Sequence, residues 1–213
     1  NPNNPTGTMA SRGEIARLHA ALPRDVLLVI DQAYAEYLEP EDDDAGLELA
    51  KTASNVLVTR TFSKIYGLAA ERIGWGYGSA DVINALHKIR APFCVTTAGQ
   101  NAAIAALADD AFVRRCRAHN RKWLKWFEDE IASLGNAGLR AVPSKANFSL
   151  VTFPEQGPVS AEGAYHALMD AGYITRWLPG QGLPNALRIT IGTEDEMRGL
   201  TAALRAYAEK GGK

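Results

Sequence analysis

A short polar segment in the first half of the chain carries side chains that suit an anion. The segment TRTFSKIYGLAAERIGW contains Thr61, Ser63, Lys64 and Arg72. Hydroxyl groups donate short hydrogen bonds and a guanidinium donates two parallel charged ones, so this set is suited to bind a phosphate. Lys64 is either a further phosphate contact or a surface residue, and for a lone lysine in a loop the surface is the commoner place.

A carboxylate and a phenol form a second candidate set upstream. Asp31 ends the apolar run VLLVID, and Tyr34 follows three residues later. Because ligands of open α/β sheets bind at the carboxyl ends of the strands, Asp31 would point into such a crevice and Tyr34 would reach it. Taken alone, Asp31 is as often a helix cap or turn former, and Tyr34 is more often a packing residue.

The elements that must position these side chains follow an α/β pattern. Ser11 and Glu14 form a capping box, which predicts a helix to about Leu22. Short apolar runs predict strands buried on both faces of a parallel sheet, with helices near them. The strand runs are 26–31, 55–60 and the more glycine-rich 72–78, and the helical segments are 47–52 and 79–90.

The second half of the chain is predicted to form a smaller α+β domain that is entered through a long helix. An apolar stripe at steps of three, four or seven predicts this helix from 110 to about 134. The stripe includes Phe112, Cys116, Trp123, Phe127, Ile131 and Leu134. Strands in LRAV, NFSLVTF, YITRWL and LRITI follow, with helices opening at Ser160 and Thr193. We therefore predict two domains, residues 1–112 and 113–213.

Composition and charge argue against several classes of protein. The formal net charge of −1 supplies no basic field for nucleic acid or an anionic membrane. The acidic run 39–44 lacks the ligand spacing of a calcium loop and is predicted to be a solvated surface loop. Cys94 and Cys116 form no CxxC unit and no histidine pair has a metal-ligand context, so we expect reduced thiols, a cytoplasmic protein and no metal site.

Four motifs in one order resemble the fold-type I aminotransferases that depend on pyridoxal 5′-phosphate (PLP), the class I/II family. They are NPTG at 4–7, DQAY at 31–34, SK at 63–64, and Arg72 eight residues after the lysine. Their order and spacing are far more specific than any one motif. The resemblance implies an α/β fold: part of a PLP-dependent transferase large domain, with a mainly parallel sheet and flanking helices, followed by a small α+β C-terminal domain.

The resemblance also implies a role for each motif residue. Lys64 would be the catalytic lysine, which holds the cofactor covalently and then moves a proton between the substrate Cα and the cofactor. Asp31 would keep the pyridine nitrogen protonated, Asn4 and Tyr34 would hydrogen-bond the phenolic oxygen, and the remaining residues would hold the phosphate. The whole cofactor-binding set is Asn4, Asp31, Tyr34, Thr61, Ser63, Lys64 and Arg72.

Two arginines near the C-terminus match substrate-binding positions of the family. Arg188, in NALRITIGT, stands where the family binds the substrate α-carboxylate; an edge-strand arginine that faces water is the alternative. The segment ITRWLPGQGLPNALRITIGT is most similar to the subgroup that acts on histidinol phosphate, where a second arginine binds the substrate phosphate. Arg176 stands twelve residues before Arg188, as that assignment requires. Gln32 departs from the commoner DEAY motif, and we assign it no catalytic role.

This resemblance implies reversible amino transfer between histidinol phosphate and 2-oxoglutarate, a step of histidine biosynthesis. An aromatic amino acid aminotransferase and a PLP-dependent threonine-phosphate decarboxylase are alternatives within the enzymes. A non-catalytic PLP-binding regulatory module is the alternative from another class.

Chains of this family are considerably longer on the N-terminal side. The resemblance implies that a glycine-rich phosphate loop, an aromatic residue stacked on the cofactor ring and an N-terminal arm lie outside this sequence. Family members are homodimers that build each site with residues of both subunits. We therefore expect this segment alone to be neither stable nor active, and the N-terminal half to accompany it as another segment.

Overall fold

The computed structural model describes residues 1–42 and 44–211, which divide into two compact units. The first comprises Asn1–Pro2 and Met9–Arg117, and the second comprises Asn3–Thr8 and the chain from Ala118 onward. The division falls inside a helix, five residues beyond the predicted boundary at 112, and the assignment of two domains stays a prediction.

The first unit combines a three-stranded sheet with helices. Its strands are β1 (Leu28–Asp31), β2 (Val56–Thr61) and β3 (Gly74–Gly78). Its helices are α1 (Arg12–Ala21), α2 (Gly46–Thr52), α3 (Ala80–Ile89), α4 (Thr97–Ala108) and the start of α5 (Asp110–Ser133). The capping box at the start of α1 and the three strand runs are confirmed, whereas α4 was not predicted.

Helices cover one face of this sheet. Strands β1 and β2 are parallel, and Ile30 and Val58 pack against Ile15 of α1 and Ala50 of α2. Val29 points to the other face and is 51% exposed. The prediction that this run is buried on both faces is therefore wrong for the described residues, because β1 is the edge strand of the described sheet and Val29 on its second face is exposed.

Strand β3 runs antiparallel to β2, where a parallel strand was expected. Its glycines have a steric cause. A Cβ atom at Gly74 would come within 2.5 Å of the Arg60 carbonyl oxygen, and one at Gly78 within 2.8 Å of the Val56 carbonyl oxygen. The sequence GWGYG therefore allows β3 to approach the β2 backbone closely.

The second unit is an antiparallel sheet packed against helices. Its strands are β4 (Arg140–Val142), β5 (Phe148–Thr152), β6 (Arg176–Leu178) and β7 (Leu183–Thr190), in the order β4-β5-β7-β6. Helices α6 (Ala161–Asp170) and α7 (Glu194–Glu209) join the C-terminal part of α5. The stripe of α5 lies in the core as expected from Trp123 onward, whereas Phe112 is 37% exposed. The predicted small α+β domain thus has the expected elements.

Within residues 1–42 and 44–211, no helix combines the length and the apolar character that crossing a membrane requires.

Candidate active site

Candidate cofactor residues lie at the carboxyl ends of β1 and β2. Because the strands are parallel and Asp31 is in register with Thr59, the segments that follow them emerge at the same edge of the sheet. The exposed carboxylate of Asp31 accepts the N–H of Ala33 (3.1 Å). The Tyr34 ring is buried, and the exposed Lys64 ammonium lies 5.3 Å from its centroid. This is the distance of a cation–π contact, which holds the lysine close to the sheet edge.

The loop after β2 brings a guanidinium to a hydroxyl. Arg72 donates to the Ser63 Oγ (3.4 Å) and to the Ala69 carbonyl (2.8 Å). The hydroxyl of Thr61 accepts the N–H of Ser63 (3.0 Å) and so braces the loop. Arg72 has a left-handed backbone (φ 51°), which is uncommon outside glycine and is found at functional sites. The loop therefore presents one charged and one neutral donor together.

These two groups of residues fit a phosphorylated pyridine such as PLP. Arg72 and Ser63 offer the donors that a phosphate needs, and both are accessible or partly accessible. Asp31 offers an exposed carboxylate for a protonated ring nitrogen, and Lys64 offers an exposed amine for a carbonyl group. The first unit brings together six of the predicted residues: Asp31, Tyr34, Thr61, Ser63, Lys64 and Arg72.

Asn4 lies in the short segment Asn3–Thr8, which is part of the second unit and forms a tight loop. The main chain of this NPTG segment is held by hydrogen bonds from Gly7 N to the Asn3 oxygen and from Lys145 N to the Gly7 oxygen (both 2.8 Å). Gly7 has a φ of +72°, and a Cβ atom there would overlap the Ser144 Oγ. Only glycine fits this position, which explains the motif's last residue.

The two predicted substrate arginines face each other in the second unit. Arg176 of β6 is in direct register with Arg188 of β7, so both side chains project from the same face of the sheet. Arg188 donates to the Asn4 Oδ1 (2.8 Å) and lies 5.1 Å from the Phe148 ring centroid. Like charges in direct register are unfavourable, so this pair is a site where an anion would be stabilising.

Sequence reasoning missed a buried polar cluster in the first unit. Gln32, Glu36 and Asp44 are 2%, 9% and 1% exposed, and Arg60 lies among them. The prediction of a solvated loop at 39–44 is therefore wrong for Asp44, whose carboxylate is satisfied by buried donors; Asp43 lies outside the described residues. Burial raises the pKa of Glu36 despite the opposing effect of Arg60. In the sequence, the signal that could have revealed this buried cluster was the presence of polar residues directly after apolar strand runs.

The comparisons with known proteins agree with these motifs. The family model described as "Aminotransferase class I and II" matches residues 1–204. A histidinol-phosphate aminotransferase from Sphingopyxis alaskensis is 70% identical over 206 residues, which are 97% of this chain and 55% of that relative. One from Zymomonas mobilis is 63% identical over 210 residues, 99% of this chain and 56% of that relative.

A solved structure shares the fold. The histidinol-phosphate aminotransferase of Sinorhizobium meliloti, determined in complex with pyridoxal-5′-phosphate, superposes with a TM-score of 0.88 at 32% identity. The match covers 99% of this chain and 56% of that one. The chain spans about half the length of the curated relatives it matches. The predicted fold is confirmed, and the chain belongs to the class I and II aminotransferase family.

Proposed function

We propose that the protein transfers an amino group between histidinol phosphate and 2-oxoglutarate, with PLP as its cofactor. The observation that carries this proposal is the position of Lys64 and Asp31 at one edge of one sheet, after paired parallel strands. Relatives at 70% and 63% identity are histidinol-phosphate aminotransferases, which supports the substrate. Because the chain spans about half of those relatives, the activity is proposed for the whole protein.

The residues of the first unit would hold the cofactor by charge and hydrogen bonding. When bound, PLP supplies an electron sink for the negative charge that develops at the substrate Cα. Asp31 would keep a proton on the ring nitrogen, and Tyr34 would donate to the phenolic oxygen, a role also proposed for Asn4. Ser63 and Arg72 would donate to the phosphate, with Thr61 beside them.

Lys64 would carry the proton in the reaction. A free amine at this position can take the proton from the substrate Cα and deliver it to the C4′ carbon of the cofactor, which is general base and then general acid catalysis. The contact with the Tyr34 ring and the short loop after β2 restrict where the amine can move. Such restriction favours transfer, because the proton donor and acceptor are already close.

The paired arginines would recognise the anionic groups of both substrates. Glutamate presents an α-carboxylate, for which we propose Arg188. Histidinol phosphate has no carboxylate but carries a phosphate, for which we propose Arg176 with Arg188 opposite it. A phosphate between two guanidiniums relieves their repulsion and accepts hydrogen bonds from both.

We also propose that the protein is a homodimer in the cytoplasm. Exposed apolar side chains of the first unit, among them Ile89, Phe93 and Ile104, support an interface with another copy. The free thiols Cys94 and Cys116 support a reducing compartment. Sedimentation equilibrium of the full-length protein would test the first point, and a monomer would contradict it.

A substrate panel on the full-length protein tests the proposed reaction. We expect histidinol phosphate to change the cofactor absorbance in a single half-reaction far more efficiently than phenylalanine does, and 2-oxoglutarate to reverse that change. Efficient reaction of phenylalanine alone would contradict the substrate, and release of carbon dioxide from threonine phosphate would favour a decarboxylase.

Borohydride reduction tests the role of Lys64 directly. Reduction of the holoenzyme followed by peptide mapping should leave the pyridoxyl group on Lys64. A pyridoxyl group on another residue would overturn the proposed site.

A further inference from the structure

A buried amide joins the two strand ends that carry the candidate active site. The side chain of Gln32 is 2% exposed and makes a hydrogen bond at each end. Its Oε1 accepts from the Arg60 Nε (2.9 Å), and its Nε2 donates to the Asp44 Oδ1 (2.5 Å). The amide oxygen of Gln32 thus accepts a hydrogen bond from a cation, and its amide nitrogen donates one to an anion.

The Gln32 side chain thus forms a hydrogen-bonded bridge between Asp44 and Arg60. Asp44 is held in place by further contacts. Its carboxylate also accepts the N–H of Gly46 at the start of α2 (2.8 Å) and the Asn1 Nδ2 (3.0 Å). The packing is tight, because a Cβ atom at Gly46 would lie 2.8 Å from the Gln32 Nε2. The buried charge is therefore surrounded by donors and has little room to move.

The residues that the bridge joins stand directly beside the proposed chemistry. Gln32 follows Asp31, and its own N–H continues the ladder to the Thr59 oxygen (2.8 Å). Arg60 precedes the loop that carries Ser63 and Lys64, and it also contacts the Glu36 carboxylate (3.4 Å). A shift of Gln32 would move the end of β1 and the end of β2 relative to each other.

We propose that Gln32 is a positioning residue: its amide links Asp44 to Arg60 and thereby sets the position of Asp31 relative to Lys64. This proposal rests on the proposed function, in which Asp31 and Lys64 act on one cofactor. Gln32 itself touches neither cofactor nor substrate in this assignment, and it acts through its two neighbours.

The electrostatics require an amide at this position. A glutamate would still accept from Arg60, but its second oxygen would face the Asp44 carboxylate at 2.5 Å. Two buried carboxylates at that distance repel strongly. The glutamine of the DQAY motif is thus matched to the aspartate at 44, and the two positions are expected to be coupled.

A double-mutant cycle tests the bridge. We expect Gln32→Glu to raise the unfolding equilibrium constant of the holoenzyme by about 10²-fold, and Asp44→Asn to recover about tenfold of that loss in the double variant. Recovery is partial because the carboxamide introduced by Asp44→Asn cannot accept from both Gly46 and Asn1. If Gln32→Glu alone does not fold, folding of the double variant is the supporting result. Additive effects, or a double variant no better than Gln32→Glu, overturn the bridge.

A spectroscopic measurement tests positioning apart from stability. Gln32→Met keeps the length and neutrality of the side chain but removes both hydrogen bonds. We expect it to raise the apparent Kd for PLP about tenfold and to lower the pH midpoint at which the ring nitrogen of the bound cofactor loses its proton, as followed by its absorbance, because a displaced Asp31 holds the ring proton less well. The control is Leu168→Ala in α6, a fully buried side chain in the second unit.

The outcomes separate this proposal from the proposed function. Leu168→Ala should lower stability but leave the absorbance midpoint unchanged. If Gln32→Met also leaves the midpoint and the Kd unchanged, Gln32 is a structural residue only and the proposal fails, while the proposed function stands. A pyridoxyl label on a lysine other than Lys64 would overturn the proposed function and the positioning role together.

Discussion

The two units hold their candidate functional side chains in different ways. In the first unit these residues lie on loops after parallel strands, and a buried polar cluster braces the strand ends. In the second unit the arginines stand on the strands of an antiparallel sheet, over a large continuous apolar core. The apolar cluster beneath the parallel strands of the first unit is much smaller.

This difference predicts whether a substitution in each unit mainly alters the candidate site or the stability of the fold. Directional hydrogen bonds between charged groups fix geometry, so a change to an exposed side chain on the loops of the first unit should alter the site before it alters the fold. Apolar burial is non-directional and proportional to area, so a change in the second unit's core should alter stability first. The following predictions test this contrast, from the largest expected effect to the smallest.

Removal of the candidate catalytic amine should lower activity and cofactor retention but leave the stability of the apoprotein unchanged. Because Lys64 is exposed, we expect Lys64→Ala to lower kcat by about 10²–10⁴-fold and to change the free energy of unfolding by less than about 0.5 kcal/mol. Steady-state kinetics of the full-length holoenzyme and denaturant titration of its apoprotein measure the two. Lys88→Ala, an exposed lysine of α3, is the matched control and should change neither.

Truncation of a core side chain in the second unit should do the reverse. Phe127 is fully buried, so Phe127→Ala should lower the free energy of unfolding by about 3–5 kcal/mol, and kcat of the protein that remains folded should stay near the parent value. The control on the same helix is Phe112→Ala, which should lower stability by less than about 1 kcal/mol since that ring is partly exposed. Equal losses of stability in Phe127→Ala and Phe112→Ala would contradict the prediction that burial in the core of the second unit determines the effect.

Arg176→Gln should move binding and stability in opposite directions. We expect the KM for histidinol phosphate to rise about tenfold, the effect of one lost charge-assisted hydrogen bond. Relief of the repulsion with Arg188 should raise the free energy of unfolding by about 0.2–1 kcal/mol without substrate. Arg140→Gln, in the same sheet but opposite Thr152, should do neither. Loss of stability in Arg176→Gln would favour a structural arginine.

The smallest effect concerns the pH dependence of stability. Burial raises the pKa of Glu36 in the folded protein. The folded state therefore binds a proton more tightly than the unfolded state, so this group's contribution is fully present below the unfolded pKa and is lost as the pH rises through the folded pKa. Glu36→Gln should flatten the fall in stability across that window, as measured by denaturant titration at several pH values.

Glu128 of α5 provides the comparison in the second unit. Burial also raises its pKa, so Glu128→Gln should flatten the same curve in the same direction. The effect should be smaller than for Glu36, because Glu128 is only partly buried whereas Glu36 is 9% exposed. A larger effect at Glu128 would show that the polar cluster of the first unit is better solvated than its burial indicates.

Much of the fold was predictable because local signals agreed with one another. The capping boxes at Ser11 and Thr193 and the apolar stripe of α5 predicted helices that the structure contains. Helix α4 was missed because its alanine-rich sequence has almost no amphipathic periodicity. The antiparallel direction of β3 was missed because strand direction depends on pairing, which periodicity does not encode.

The sequence by itself determined the family and indicated the candidate reactive groups, because four motifs in order carry that information in residue type and spacing. Only the tertiary structure decided which groups meet. It set Arg176 opposite Arg188, placed Lys64 over the Tyr34 ring, and buried Asp44 against Gln32. The physical reason is that strand register and burial arise from contacts between residues far apart in the chain, so neither an acidic run nor a lone arginine reveals its partner.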